Sequence, residues 1–123
     1  MSKRVITDEE ILNLPPGRDL DAHVALRVMG FKEITIVGKH YFTDPIDTKL
    51  KLYSTDISAA WEIVDKLKIQ IIPQSIGAPD QLSYLAIYNN EPFESKVEVF
   101  GRTAPEAICK AALITVIGGS GNE

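Results

Sequence analysis

The sequence predicts an α+β fold: an antiparallel β-sheet sandwiched between α-helices, in the order α-β-α-β-β-β-α. Three observations predict it. Residues 54–68 and 103–117 each carry an apolar stripe at helical spacing behind a cluster of capping residues. Three strand-like runs, 69–74, 81–88 and 95–101, follow one another through links too short for a parallel crossover. The middle run is apolar on both alternating faces, which suits a strand with helices on either side.

The elements follow in order. Thr7 and Glu10 form a capping box that opens a short helix over 7–14, and Pro15-Pro16-Gly17 ends it. The helix restarts over 18–30, where Leu20, Val24 and Val28 share one face and Gly30 suits the position after the last turn. "KEITIVG" (32–38) is β-branched and reads as a strand. Residues 39–53 read as a long loop with a turn at Asp44-Pro45 and an extended piece at 49–53. Ser54, Thr55 and Asp56 crowd the start of the next helix, whose stripe is Ile57, Ala60, Trp61, Val64 and Leu67; Trp61 is therefore expected in the core. Glu62 and Lys66 stand at i and i+4 on its wet side.

Pro73 suits the end or the edge of the first meander strand. In the third, Val97 and Val99 alternate with Lys96 and Glu98, and the strand breaks at Gly101-Arg102. Thr103 and Glu106 then form a second capping box, and Ala107, Ile108, Ala111, Ala112 and Val116 give a small-residue face that can lie close on a sheet. Residues 1–117 are expected to form one domain, with "GGSGNE" (118–123) as a disordered tail.

Composition excludes several functions. With 13 basic against 17 acidic residues the chain lacks the footprint of a long-nucleic-acid binder. A single cysteine, Cys109, rules out an intramolecular disulfide framework, and its alanine-rich surroundings mark it as a small buried residue. No apolar run approaches the ~20 residues of a membrane span, so a cytoplasmic protein is expected. His23 and His40 have no partners at metal-ligand spacing, and a nucleophile elbow, a P-loop and G-x-G-x-x-G are all absent. Most acids have a capping or surface explanation. Neither catalysis, a cofactor nor a metal is expected.

Binding needs fewer convergent groups. Two helix starts are rich in hydroxyls: Ser54-Thr55-Asp56 and Arg102-Thr103. A helix N-terminus carries free N–H groups and partial positive charge, and a guanidinium can donate two parallel hydrogen bonds to a phosphate. Asp56 already supplies negative charge at the first start, whereas the second shows no acid at the cap itself. Read blandly, Thr103 is an N-cap and Arg102 a solvated side chain. Asn89, Asn90 and Phe93 lie in a turn, where an amide can pair with a base edge and a ring can stack on its face. They serve equally as a β-turn with one anchoring aromatic. Phe31 is a further aromatic that a base could meet.

The segments "VMGF" (28–31), "YSTDISAAWEIVDKL" (53–67) and "TAPEAICKAAL" (103–113) resemble the phage ABA-sandwich domain family, with matching blocks from about residue 20 to 113. The resemblance implies an antiparallel sheet between helices. One branch of that family resembles the type 1 Thoeris anti-defence proteins. These sponges hold cyclic ADP-ribose isomers made by bacterial TIR-domain enzymes without cleaving them, assemble as dimers and hexamers, and can hold cyclic oligonucleotides at a separate site. By that resemblance the chain is expected to be a homo-oligomeric nucleotide sponge. The alternative is a phage protein–protein interaction module without a small-molecule ligand. Arg102 stands where the family often has an acid, a change that would turn an anion-repelling junction into an attracting one. The expected ligand-binding residues are Arg102, Thr103, Asn89, Asn90, Phe93, Phe31, Ser54 and Thr55, with Arg102 and loop 89–93 at a subunit interface.

Overall fold

The last helix organises the chain. In the computed structural model, which describes residues 7–31, 34–38, 40–43, 48–89 and 96–121, helix α4 (Ala104–Gly121) packs against α1 (Asp8–Asn13), α2 (Arg18–Arg27), α3 (Ile57–Leu67) and strands β4 (Gln70–Pro73), β5 (Tyr84–Tyr88) and β6 (Val97–Gly101). Ala107, Ile108, Cys109, Ala111, Ala112 and Leu113 are all fully buried. A helix apolar all round belongs inside, and its alanines let neighbours approach closely. The helix continues to Gly121, past the expected stop at 117. A helix already formed propagates at one hydrogen bond per residue, which here carries it through glycines that only weaken it.

The α+β class and the antiparallel strands hold, but the strands divide into two sheets. One is β4-β5-β6, the expected antiparallel meander, with Ala86 opposite both Ile71 and Val99. The other is β1-β2-β3, formed by β1 (Ile34–Val37), β2 (His40–Thr43) and β3 (Thr48–Lys49). Two of its strands fall within the stretch read as a loop. They are too short, and too close to Asp44-Pro45, to show a period of two.

Helix α4 covers one face of β4-β5-β6. On the other face the register aligns Ile72, Leu85 and Phe100 in one row across all three strands. Ile72 and Phe100 are 40% and 42% exposed there.

The capping box of α1 forms as predicted: the Thr7 hydroxyl accepts from Glu10 N–H at 3.1 Å, and the Glu10 carboxylate accepts from Thr7 N–H at 3.0 Å. The end of α2 closes through Gly30 at φ +86°, with Phe31 N–H donating back to the Ala25 carbonyl at 3.0 Å. Only a residue tolerant of left-handed backbone suits that end.

Helix α3 differs from its predicted face. Its buried residues are Ala59, Ala60, Ile63 and Val64, while Ile57 and Trp61 are each 47% exposed. The buried face includes position 59 in place of 61, and successive residues turn by ~100°. Helix α3 packs on α4 through a side that carries two alanines, and an indole there would hold the helices apart. Glu62 pairs with Lys51 rather than with Lys66.

A buried charged clamp joins α2 to the segment before α3. Asp21 is fully buried and accepts from Ser54 N–H at 2.7 Å and from the Arg18 guanidinium at 2.8 Å. Arg18 also donates to the Leu50 carbonyl at 2.7 Å and lies over the Tyr41 ring, 5.4 Å from its centroid. One side chain thus ties α2, the 50–54 segment and β2 together. Burial, with smaller contributions from Glu62, Asp21 and Cys109, pushes the Tyr53 phenol up to about 12. Burial pushes the Cys109 thiol up as well, so it is an inert core thiol, as its surroundings predicted.

Candidate functional site

Strand β6 ends at Gly101 and α4 begins at Ala104, so Arg102 and Thr103 make the whole connection. Gly101 is required here by space. A Cβ on it would stand 2.7 Å from Ala107 N and 3.0 Å from Ala107 Cα, both backbone atoms of α4. The strand end therefore lies directly against the first turns of the helix.

Thr103 caps α4 as predicted, accepting from Glu106 N–H at 3.2 Å. The reciprocal bond differs from a simple capping box: the Glu106 carboxylate accepts from Arg102 N–H at 3.0 Å, one residue earlier than expected. Its second oxygen accepts from the Lys110 ammonium at 2.7 Å. Lys110 in turn donates to the Leu12 carbonyl at 2.9 Å, near the end of α1. The junction was expected to lack an acid at its cap. Glu106 reaches back to fill that position, so the bare helix N-terminus is not free for a ligand.

What remains open lies beside it. A cleft of about 510 Å³ runs between the α1–α2 connection and the β6–α4 junction. Pro15 and Pro16 line it on one side and Phe100 and Arg102 on the other, with Gln81, Asn13 and Lys110 completing the polar lining. The cleft holds two cations, Arg102 and Lys110, and one carboxylate, Glu106, a balance of 2 − 1 = +1. Phe100 presents an exposed ring one residue before Gly101. Size, charge and an aromatic face fit a nucleotide-scale anion.

Of the expected site residues that are described, Arg102 lines this cleft, with Thr103 capping the helix beside it. Asn89 lies at the far end of the sheet. The β5–β6 register pairs Tyr84 with Gly101 and Tyr88 with Val97, so the length of β6 separates Asn89 from Arg102. Four residue steps span about 14 Å, so within one subunit Asn89 and Arg102 stand at opposite ends of the sheet. Asn90 and Phe93 fall outside the described residues. Phe31 is half-buried and packs on the core.

Ser54 is fully buried, its hydroxyl accepting from Gly17 N–H at 2.9 Å and donating to the Gly17 carbonyl at 3.2 Å. It belongs to the clamp and faces no ligand. Thr55 is exposed in the turn before α3, where Asp56 is the cap, accepting from Ser58 N–H at 3.0 Å. A carboxylate at that cap makes the position a poor host for a second anion.

Phe100, Gln81, Asn13 and Lys110 were missed. Phe100 had a signal: in "VEVF" it alternates with the inward Val97 and Val99, so it shares the outer face with Glu98. Gln81, Asn13 and Lys110 had none, because they meet the cleft only through tertiary packing.

A second hollow, of about 370 Å³, lies between α1–α2 and β1–β2, lined by Glu10, Asp19, His23, Tyr41 and apolar side chains. Among the described residues no three His, Cys, Asp or Glu side chains converge to hold a metal ion. None of the described helices is long and apolar enough to cross a membrane.

The site is a solvent-open, positively biased cleft at the strand–helix junction of a small α+β protein. The Phage ABA sandwich domain matches residues 22–113, three quarters of the chain, and the chain belongs to that family of phage proteins. It is also similar to a phage protein from Bacillus cereus ATCC 14579 whose crystal structure is solved. The identity is 26% over 84% of this chain and 93% of that one, with a TM-score of 0.62. No curated protein matches the chain.

Proposed function

We propose that this phage protein is an anti-defence sponge that binds cyclic ADP-ribose-type signalling nucleotides in the Arg102 cleft, keeps them uncleaved and so blocks TIR-dependent immunity in the host cytoplasm. The carrying observation is that an exposed aromatic ring, a guanidinium and two side-chain amides converge on one cleft of about 510 Å³. The Phe100 ring is placed to stack on a base, Arg102 to pair with a pyrophosphate, and Gln81 and Asn13 to read polar edges. The one carboxylate of the cleft is engaged by Arg102 N–H and Lys110, which favours retention over turnover. No cofactor takes part in this reading. Cyclic oligonucleotides at a separate site remain part of the proposal by resemblance alone.

The open cleft also supports a homo-oligomer. Micromolar binding corresponds to about −8 kcal/mol and nanomolar to about −12, and the tighter range asks for a ligand covered on most sides. The apolar row Ile72–Leu85–Phe100 runs from the outer sheet face into the cleft. A second copy seated on that row, as a dimer or within a hexamer, would roof the ligand.

The test is calorimetric titration with cyclic ADP-ribose isomers and cyclic oligonucleotides, followed by heat denaturation and chromatography of the released ligand. Binding with intact release, lost in Arg102→Glu while the fold persists, supports the sponge. Released ligand that has been hydrolysed would make the protein an enzyme. Unchanged affinity in Arg102→Glu would move the site elsewhere. The second reading, a protein–protein interaction module, is favoured by Ile57 and Trp61, exposed together on α3. It predicts no ligand in the panel and a protein partner lost in Trp61→Ala.

A further inference from the structure

Lys110 is 5% exposed, yet it lines the cleft that carries Arg102. Its ammonium has three protons to donate. Among the described residues two have acceptors: the Glu106 carboxylate at 2.7 Å and the Leu12 carbonyl at 2.9 Å. Both acceptors are fixed by secondary structure, Leu12 in α1 and Glu106 in the first turn of α4, so the direction left for the third proton is fixed too. A buried charged donor normally has every proton matched.

We propose that the third proton of Lys110 is held for an anionic oxygen of the phosphate class entering the cleft beside Arg102. Lys110 is then a ligand-contacting residue and the Glu106–Lys110 pair is the floor of the site. This rests on the cleft as the binding site, and not on the ligand being a cyclic ADP-ribose isomer. The pairing also explains the arrangement of charge. Glu106 alone would repel a phosphate, but its two oxygens are engaged by Arg102 N–H and by Lys110, which offsets its charge. Arg102 is exposed, while Lys110 is buried and held by two acceptors. The exposed cation captures and the held one orients, so phosphate position should be read by Lys110.

The experiment uses the full chain labelled with 15N and follows the lysine ammonium signals by NMR. Lys110 is recognised by its protection from solvent exchange and by loss of its signal in Lys110→Arg. Inorganic pyrophosphate is the first probe, a cyclic ADP-ribose isomer the second, and phosphate-free adenosine the control. The expected result is a shift of the Lys110 signal with both phosphate-bearing probes and none with adenosine. Lys110→Met should weaken binding of the phosphate probes by about 10- to 100-fold, the range for one hydrogen bond to a charged group. If Lys110→Met does not fold, Lys110→Met with Glu106→Gln removes both charges of the pair, and the wild-type ammonium signal decides in either case. Nucleotide binding with an unmoved Lys110 signal overturns this inference and leaves the sponge standing. Pyrophosphate moving Lys110 while no cyclic nucleotide binds supports it and overturns the sponge. No shift with either phosphate probe overturns it outright.

Discussion

Replacing Gly101 by alanine tests the junction on which the cleft depends. The added Cβ would stand 2.7 Å from Ala107 N, 3.0 Å from its Cα and 3.1 Å from its Cβ. Ordinary contact begins at 3.4 Å, so the nearest pair must open by 3.4 − 2.7 = 0.7 Å. No flexible side-chain end can absorb this, because two of the three atoms are backbone. Either β6 or the first turns of α4 must move. The same turns hold the Ala107 N–H to Thr103 carbonyl bond at 3.1 Å and the Glu106 N–H to Thr103 hydroxyl bond at 3.2 Å. Stretching either by that amount takes it out of hydrogen-bonding range.

Overpacking of this kind costs about 1–3 kcal/mol. Alanine returns about 0.4–1 kcal/mol by restricting the unfolded chain. The expected net loss is then about 1–2 kcal/mol, and with a urea dependence of about 1–3 kcal/mol per molar the midpoint should fall by roughly 0.3–2 M. Arg102 is the next residue, so affinity for any cleft ligand should fall with stability. Urea denaturation followed by circular dichroism reads the first effect and calorimetry the second. A midpoint equal to or above that of the wild type would show that strand and helix are not pressed together here, and the cleft geometry would have to be redrawn.

Asp21→Ala should be among the most damaging single changes, at about 3–5 kcal/mol, because it leaves a buried amide and a half-buried guanidinium without their acceptor; a loss under 1 kcal/mol in urea denaturation would remove the clamp from the account. The Tyr53 phenol is raised from 10 in the unfolded chain to about 12 in the fold. The folded state therefore holds that proton more tightly, and its contribution is whole below pH 10 and lost as pH rises towards 12. Two pKa units correspond to about 3 kcal/mol, so alkaline titration of stability should show a fall that Tyr53→Phe flattens. An identical fall in that variant would assign it to other groups.

Much of the fold was legible because local and global signals agree. The capping residues at Thr7, Asp56 and Thr103, the left-handed turn at Gly30 and the alternation of 97–101 are local chemistry, and each appears where its residues predict. Trp61 was misread because a helical stripe fixes only a period. Its phase is chosen by the partner, and α4 selected the face with Ala59 and Ala60. Strands β2 and β3 were hidden by their length. At the site, Arg102 was legible from its place at a strand–helix handover. Asn89 also lies at a strand end, and only the β5–β6 register shows that within one subunit it stands at the opposite end of the sheet from Arg102. Glu106 was identified as a cap residue, but its reach to Arg102 N–H and to Lys110 is tertiary geometry that spacing does not contain.

The bond from Lys110 to Leu12 joins residues 98 positions apart, and α1, α2, α3 and β4-β5-β6 all rest on the same final helix. During synthesis none of these partners can finish burying its apolar side until α4 has left the ribosome. A chain made at about 5–20 residues per second therefore waits for residues 104–121 before the elements ahead of them are stable. Folding should be a single event that follows the synthesis of α4, with no independently stable unit formed by the elements ahead of it. A nonsense change ahead of residue 104 would yield no partial function, only a substrate for host chaperones and proteases.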